Sequence, residues 1–232
     1  MPKHSKRVSE NLKKTSRTES YKPEEAVALA KQYANAKFDE SLELHLKLGA
    51  DPAKGDQTVR GTTTLPHGTG KQPKVAVFAE GDAAREAEEA GAVRVGGEDL
   101  VQAISEGWED FDILVAQPQM MRIIGPLGRK LGPRMPSKKA GNITPDVGQA
   151  VRELMGGRLE YRMDRGGGLH AGIGKLSFTE EQLVENLLSI LTTVNRARPA
   201  AVTGKFIRTA AISSTMGPGI RLDLDTLGTR IQ

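Results

Sequence analysis

Residues 74–116 read KVAVFAEGDAAREAEEAGAVRVGGEDLVQAISEGWEDFDILVA, and the alternation of apolar and polar runs in this stretch decides the fold class. Three short apolar runs of strand composition alternate with two charged segments of helical composition. The runs are Lys74–Ala79, Val93–Val95 and Phe111–Ala116, and the segments are Ala83–Glu89 and Glu98–Glu106. Strands without a polar side are covered on both faces, and strands separated by helices pair in parallel. The stretch therefore predicts a Rossmann-like, parallel α/β domain.

The sequence before this stretch has a different pattern. Pro23-Glu24-Glu25 opens a helix that runs to about Asn35, since proline suits the first helical position and acidic residues favour the first turn. From Leu42 to Leu48 leucines alternate with polar residues, which predicts a strand with one buried and one polar face. Gln57–Leu65, rich in Val and Thr, is predicted to be its partner strand.

Strand-like sequence returns after a helix predicted at Asp146–Leu154. Four strands are predicted around a long amphipathic helix that begins at a Thr179 cap. The strands are Arg158–Met163, Leu169–Lys175, Gly204–Thr215 and Ile220–Leu224, the last of them followed by an exposed strand end at Asp223–Asp225. The fold class predicted for the chain is α/β with two domains. Residues 1–67 and 159–232 form a discontinuous α+β terminal domain with one open sheet face, and residues 68–158 form the inserted Rossmann-like domain. Both crossings contain glycine, which predicts a hinge.

The composition excludes several classes of protein. Among the 232 residues there is no cysteine, so disulfides, thiolate nucleophiles and cysteine-based zinc sites are impossible. No apolar run approaches the ~18 residues of a membrane span. We expect a cytoplasmic protein with no membrane association.

Charge is unevenly distributed along a chain of net charge +4. Bases dominate the first 17 residues, and the Gly- and Pro-rich segment Gly125–Pro145, predicted to be a long loop, is basic as well. Acidic residues dominate Glu80–Asp112. Such segregation favours a polyanionic partner at one surface, although a solvated tail and an ordinary charged helix would give a similar pattern.

Sequence signatures of catalysis are missing. Gly70-Lys71 and Gly174-Lys175 lack the Ser or Thr of a phosphate loop, and no dinucleotide-binding glycine motif follows Ala79. The four histidines have no metal-ligand spacing, and Ser213-Ser214 has no base nearby in the sequence. We therefore expect no cofactor, no metal, no catalytic residue and no enzymatic activity.

Three segments of the terminal domain have the composition of a contact surface. In Ala36–Glu40, Lys37 is suited to pair with a phosphate and Phe38 to stack on a base, unless Phe38 lies in the core. Tyr161–Gly168 places arginines around a glycine turn, which is equally compatible with a plain hairpin. Ser213–Gly219 offers hydroxyls and an exposed backbone turn to RNA, or is only a polar turn.

The chain resembles the family of bacterial large-subunit ribosomal proteins L-one, which carry the mobile stalk beside the tRNA exit site. The motifs that carry the resemblance run from end to end: MPKHSKR, AKFDESLELHLKLGADP, DQTVRGTTTLPHGTGK, EEAGAVRVGGEDL, GWEDFDILVAQPQMM, LGRKLGPR, the turn Asp164–Ala171, GKLSF and SSTMGP. The loop Gly132–Lys139 is two residues shorter than is usual in the family, and the turn carries Met163 and Arg165-Gly166-Gly167 where Asn and Lys-Thr-Gly are usual.

This resemblance implies a non-enzymatic protein that binds the rRNA stalk, aids release of deacylated tRNA from the exit site and represses translation of its own messenger RNA. It implies a monomer outside the ribosome. It also implies an RNA site at ten positions: Lys37, Phe38, Glu40, Ser41, Asp164, His170, Ser214, Thr215, Met216 and Gly217. Two alternatives stay open: an RNA- or nucleotide-processing enzyme that uses the Rossmann-like domain, and a free-standing translational repressor that uses the same RNA site.

Overall fold

A computed structural model describes residues 10–11, 19–138 and 140–230. The basic N-terminal segment that the sequence singles out lies almost wholly outside the described residues. The helices and strands are, in chain order, β1 (Ser20–Tyr21), α1 (Pro23–Tyr33), β2 (Ser41–Leu48), β3 (Arg60–Thr64), β4 (Val75–Phe78), α2 (Asp82–Glu89), β5 (Arg94–Gly96), α3 (Glu98–Glu106), β6 (Ile113–Ala116), α4 (Met121–Ile124), α5 (Gly128–Leu131), α6 (Val147–Met155), β7 (Arg158–Arg162), β8 (Gly168–Lys175), α7 (Glu180–Arg196), β9 (Ile207–Ser214), β10 (Ile220–Leu222) and α8 (Leu224–Arg230).

The chain forms two compact units, each with its own core. The first unit runs to Gly70 and resumes at Leu159, and the second is Lys71–Arg158. This architecture confirms the predicted fold class, an α/β chain in which a parallel α/β unit interrupts an α+β unit.

The first unit is built on a five-stranded sheet in the order β1-β10-β9-β2-β8. In β2 every second residue is a buried leucine, as the alternation predicts. These leucines pack with α1 and α7 in one hydrophobic core. Helix α7 begins at a capping box, in which Thr179 Oγ1 accepts from the Gln182 N–H (3.3 Å) and Gln182 Oε1 accepts from the Thr179 N–H (3.0 Å). The helices cover one face of the sheet, so the polar residues of β2 lie on its other face.

The second unit has a parallel sheet in the order β5-β4-β6. Val75 and Val77 pack on one side, and Ala76 and Phe78 pack on the other. Because both sides are covered, all four residues of β4 are buried, which is why the sequence shows a continuous apolar run rather than an alternation.

Three local predictions are wrong. The segment around β3 pairs with β7 in a separate two-stranded sheet, because both edges of β2 are taken by β8 and β9. Residues 125–134 are not a continuous loop, since they form α5 and two 3-10 turns that bury Leu127 and Leu131. The segment after Leu222 is a helix start, because the Asp223 carboxylate accepts from the Asp225 N–H (3.1 Å) and the Thr226 hydroxyl (2.5 Å).

Candidate nucleic-acid interface

Two chain segments meet where β2 begins and β9 ends. The antiparallel register places Leu42 opposite Ser214, so Ser41 and Thr215 are neighbours. The Thr215 N–H donates to the Ser41 carbonyl (3.1 Å), and the Ser41 N–H donates to Thr215 Oγ1 (3.0 Å). The Thr215 hydroxyl in turn donates to the Ser41 carbonyl (3.3 Å). We call the combined surface of residues 36–41 and 214–217 the junction surface.

The buried side chain of Glu40 connects the two segments of the junction surface by hydrogen bonds. Its side chain is only 2% exposed. Oε2 accepts from the Met216 N–H (2.9 Å), and Oε1 accepts from the Ala36 N–H (3.3 Å). A carboxylate with backbone donors on both oxygens fixes the two loops against each other. Glu40 therefore positions its neighbours and is not itself presented to a ligand.

The junction surface exposes apolar side chains that a folded protein normally hides. Phe38 is 55% exposed and Met216 46% exposed, and in the described part of the chain they are two of three large hydrophobic residues so exposed, with Val93 of the second unit. The alternative that Phe38 lies in the core is wrong. Lys37 lies beside Phe38 and is exposed too. A ring, a thioether and an ammonium group on one rigid surface suit the bases and phosphates of RNA.

In the turn after β9, Gly217 packs closely against the side chain of Ser214. A Cβ added at Gly217 would lie 2.4 Å from Ser214 Oγ, so a larger residue there would require the Ser214 side chain to move. Ser214 Oγ is buried and is the one buried side-chain polar atom without a hydrogen bond within the described residues. Ser214 thus lies under the surface, and the Met216 and Gly217 backbone lies above it.

Hydrogen bonds next to the junction surface involve three residues that were not predicted from the sequence: Lys175, Asp39 and Ser177. Lys175 Nζ donates to Ser41 Oγ (3.0 Å) and to the Asp39 carbonyl (3.2 Å). The Asp39 carboxylate accepts from the Ser177 N–H (3.2 Å) and hydroxyl (2.9 Å). The available signal was the GKLSF motif itself, which contains Lys175, at the end of β8, and Ser177.

Asp164 and His170 lie on the same sheet but farther along. The register places His170 opposite His45, four residues from Ser41 along β2, which is about 13 Å at the rise of a strand. Asp164 closes the turn before β8, since its Oδ1 accepts from the N–H groups of Gly166 (2.8 Å) and Gly168 (2.7 Å). The structure therefore groups eight of the ten predicted residues at the junction surface, with these two beyond them.

The Asp164 turn is an ordered anionic element. The N–H of Gly168, with that of Gly166 and the nearby His170, holds the pKa of the Asp164 carboxyl below its ordinary value against an opposing desolvation effect. His170 Nε2 lies 3.6 Å from Asp164 Oδ2. The turn is thus a hydrogen-bonded structure rather than a plain flexible hairpin.

The polar side of β2, β8 and β9, which we call the open face, carries a histidine that the sequence analysis did not select. His45 Nδ1 lies 2.8 Å from His170 Nδ1, and His45 Nε2 lies 2.8 Å from Ser213 Oγ. Burial, and then the charge of His170, lower the pKa of His45, while Glu43 opposes the shift. Ser213 has no base nearby in the sequence, but the sheet brings His45 to it from 168 residues away.

The helix starts of the second unit are unsuited to binding the phosphates of a nucleotide. The Gly97 N–H at the start of α3 donates to the Asp99 carboxylate (2.8 Å) of its own first turn. Glu80 lies close to Gly97 as well, because a Cβ there would be 3.1 Å from Glu80 Oε1. Carboxylates thus lie at the start of α3, and Glu80 and Asp82 stand at the turn from β4 to α2, where a dinucleotide fold holds its phosphates. In the described ranges no group of three or more His, Cys, Asp or Glu side chains is arranged to hold a metal ion.

The chain also matches known sequences over most of its length. The sequence model of the ribosomal protein L1p/L10e family matches residues 30–218. The chain belongs to this family. It is 53% identical to the large ribosomal subunit protein uL1 of Kosmotoga olearia over 96% of its length and 97% of that protein. It is 51% identical to the protein of the same name from Thermomicrobium roseum over 97% of its length and 96% of that protein.

Membership of the family accords with the predicted absence of enzymatic activity, since the two relatives are named as ribosomal proteins. Across residues 10–11, 19–138 and 140–230, none of the helices has the length and apolarity needed to cross a membrane.

Proposed function

We propose that the unit formed by the two chain ends binds the stalk of the large-subunit rRNA through the junction surface, as part of the large ribosomal subunit. The observation that carries the proposal is the exposure of Phe38 and Met216 beside the buried Glu40, which accepts hydrogen bonds from both of their segments. Exposed apolar groups on a mobile loop would bind weakly because their ordering would oppose binding. Here that ordering is already achieved in the fold.

Each residue of the proposed site has a distinct role. Phe38 stacks on a base or a sugar, and Lys37 pairs with a phosphate. Thr215, Met216 and Gly217 contact the RNA backbone at the turn. Ser41 and His170 contact sugar hydroxyls and phosphates, and the Asp164 carboxylate accepts from sugar hydroxyls. Glu40 and Ser214, being buried, hold that surface in shape. Recognition of this kind reads shape, 2′-hydroxyls and backbone more than base identity.

We also propose that the bound protein aids movement and release of deacylated tRNA at the exit site, and that it represses translation of its own messenger through the same surface. The resemblance to bacterial ribosomal L-one proteins supports both roles and a monomeric state outside the ribosome. Because repression reuses the rRNA site, an RNA copy of the messenger leader should compete with the rRNA stalk for one protein. Simultaneous binding of both RNAs would rule out the shared site.

A gel-shift titration tests the rRNA proposal. A transcript of the large-subunit stalk should bind more tightly than random duplex RNA of equal length. The logarithm of its association constant should fall linearly with the logarithm of salt concentration, by about 0.7–0.9 per phosphate neutralised. Equal affinity for both RNAs would count against the proposal and would favour a different partner.

The exposed apolar residues provide a matched pair of variants. Phe38→Ala should weaken binding of the stalk transcript by about 1–3 kcal/mol, the usual loss of one base-stacking side chain. Val93→Ala removes an equally exposed apolar side chain from the second unit and should leave affinity unchanged. Equal losses in the two variants would show that Phe38 has no specific role.

A further inference from the structure

Four polar side chains form a continuous chain across three strands of the open face. They are Ser213 on β9, His45 on β2, His170 on β8 and Asp164 in the turn that precedes β8. Their successive polar atoms are 2.8, 2.8 and 3.6 Å apart. We propose that His45 and Ser213 extend the RNA site from the junction surface across the open face, and that RNA binding there takes up one proton on the His45–His170 pair. This inference rests on the proposed function and adds two residues and a proton to it.

In the neutral pair the hydrogen bonds run in one direction. A neutral imidazole has one donor and one acceptor nitrogen. If His170 Nε2–H faces the Asp164 carboxylate, then His170 Nδ1 accepts from His45 Nδ1–H, and His45 Nε2 accepts from the Ser213 hydroxyl. The opposite direction would leave a bare His170 nitrogen facing a carboxylate. The Ser213 hydroxyl proton is therefore directed into the protein.

One added proton reverses the direction of the two hydrogen bonds made by His45 and keeps both of them. His170 then carries a proton on both nitrogens: Nδ1–H donates to His45 Nδ1, and Nε2–H faces the Asp164 carboxylate as an ion pair at 3.6 Å. His45 changes tautomer and donates from Nε2 to Ser213 Oγ. A second proton would make both facing Nδ1 atoms donors at 2.8 Å, which is repulsive. The pair thus accommodates one proton, and the half-buried His45 remains the neutral member, in agreement with its lowered pKa.

The added proton changes what the surface offers a ligand. Ser213 now accepts from His45, so its own hydroxyl proton is free to donate to a phosphate or a ribose oxygen. The exposed His170 gains a positive charge at the same time. A polyanion binds this state better than the neutral one, because charge-assisted hydrogen bonds to phosphate are the stronger ones.

The other charged groups around the pair are evenly divided between cations and carboxylates, so the preference for an anionic ligand comes from the added proton. On β2 the exposed side chains next to His45 are Glu43 and Lys47, and Lys47 donates to the Gly166 carbonyl of the neighbouring turn. Register places Arg221 of β10 opposite Ala211, which is itself opposite His45, so Arg221 lies in the same row of the open face. Two cations therefore flank the pair, against the carboxylates of Glu43 and Asp164.

The sign of the effect follows from linkage. A ligand that prefers the protonated pair binds with its full added affinity at low pH. That added affinity is lost as the pH rises and the bound pair releases the proton. We expect the association constant for the stalk transcript to rise roughly fivefold from pH 8 to pH 6.

Calorimetry of the full-length protein with the stalk transcript tests the inference. Titrations at one pH in buffers of different ionisation enthalpy count the protons taken up on binding, and titrations from pH 5.5 to 8.5 give the slope. We expect net uptake of up to one proton near pH 7. His45→Gln combined with His170→Gln should abolish the uptake, whereas His67→Gln, which removes another histidine of the same unit, should leave it unchanged. Ser213→Ala should weaken binding at pH 6 more than at pH 8.

The outcomes separate this inference from the proposed function. Tight, transcript-specific binding with no proton uptake, or uptake that survives in the double variant, would overturn the inference and leave the RNA site standing. A Ser213→Ala loss that is the same at pH 6 and pH 8 would refute the reorientation of its hydroxyl. No specific binding at any pH would refute the proposed function itself.

Discussion

Glu40→Gln is the sharpest test of how the junction surface is built. The buried carboxylate accepts from the Met216 N–H at 2.9 Å and from the Ala36 N–H at 3.3 Å. Glutamine keeps the size of the side chain but replaces one acceptor oxygen by an NH₂ group. One of the two backbone donors would then face another donor, out of reach of water.

The magnitude follows from those two contacts. A hydrogen bond to a charged group contributes about 1.5–3 kcal/mol, and a buried donor left without a partner costs about 1–3 kcal/mol. Allowing for relaxation of the loops, we expect Glu40→Gln to lower the free energy of unfolding of the first unit by about 2–4 kcal/mol. For a protein of this size, such a loss lowers the melting temperature by about 5–15 °C.

Hydrogen–deuterium exchange provides the assay. The Met216 amide should exchange faster in Glu40→Gln, while fluorescence of Trp108, the single tryptophan, should keep its native spectrum because Trp108 packs against the core of the second unit. Glu160→Gln, at an exposed position of β7, is the matched control and should change stability by less than about 0.5 kcal/mol. If Glu40→Gln behaved like this control, the carboxylate would not hold the two loops together.

Two further perturbations test neighbouring contacts. Thr215→Val keeps the shape of the side chain and removes its hydrogen bonds with the Ser41 backbone. Binding of the stalk transcript should therefore weaken by about 1 kcal/mol, while circular dichroism shows a folded protein. Unchanged affinity would show that Thr215 is not part of the RNA site. Because its turn holds the pKa of Asp164 below the ordinary value, this carboxylate contributes stability above the pKa of the unfolded chain and loses it as the pH falls through the folded value. Urea unfolding from pH 6 to pH 3 should therefore show a smaller loss of stability in Asp164→Asn than in the parent protein, and parallel pH profiles would contradict that assignment.

The elements that the sequence predicts well are those whose pattern is local. Alternation from Leu42 to Leu48 encodes one buried face, and the Thr179 cap with Gln182 three residues later encodes a helix start. The partner of β3 was mispredicted because strand pairing depends on which edges are free. Neither edge of β2 was free, and nothing near Arg60–Thr64 records that.

The candidate site is predictable only in part, for the same reason. Its residues come from segments more than 170 positions apart, such as Glu40 and Met216, and composition alone supports no more than three contact segments. The resemblance supplied the individual positions. It did not indicate that Glu40 and Ser214 are buried, or that His45 bridges Ser213 and His170, because these facts depend on the register of three strands.

Replacing residues 71–158 by a short glycine linker asks whether RNA binds the unit assembled from both chain ends, with circular dichroism to verify that the shortened protein is folded. We expect this variant to bind the stalk transcript within about threefold of the full-length protein, which is less than 1 kcal/mol. A folded variant that has lost its specific affinity, together with binding of the transcript by residues 71–158 alone, would place the site in the other unit and contradict the account.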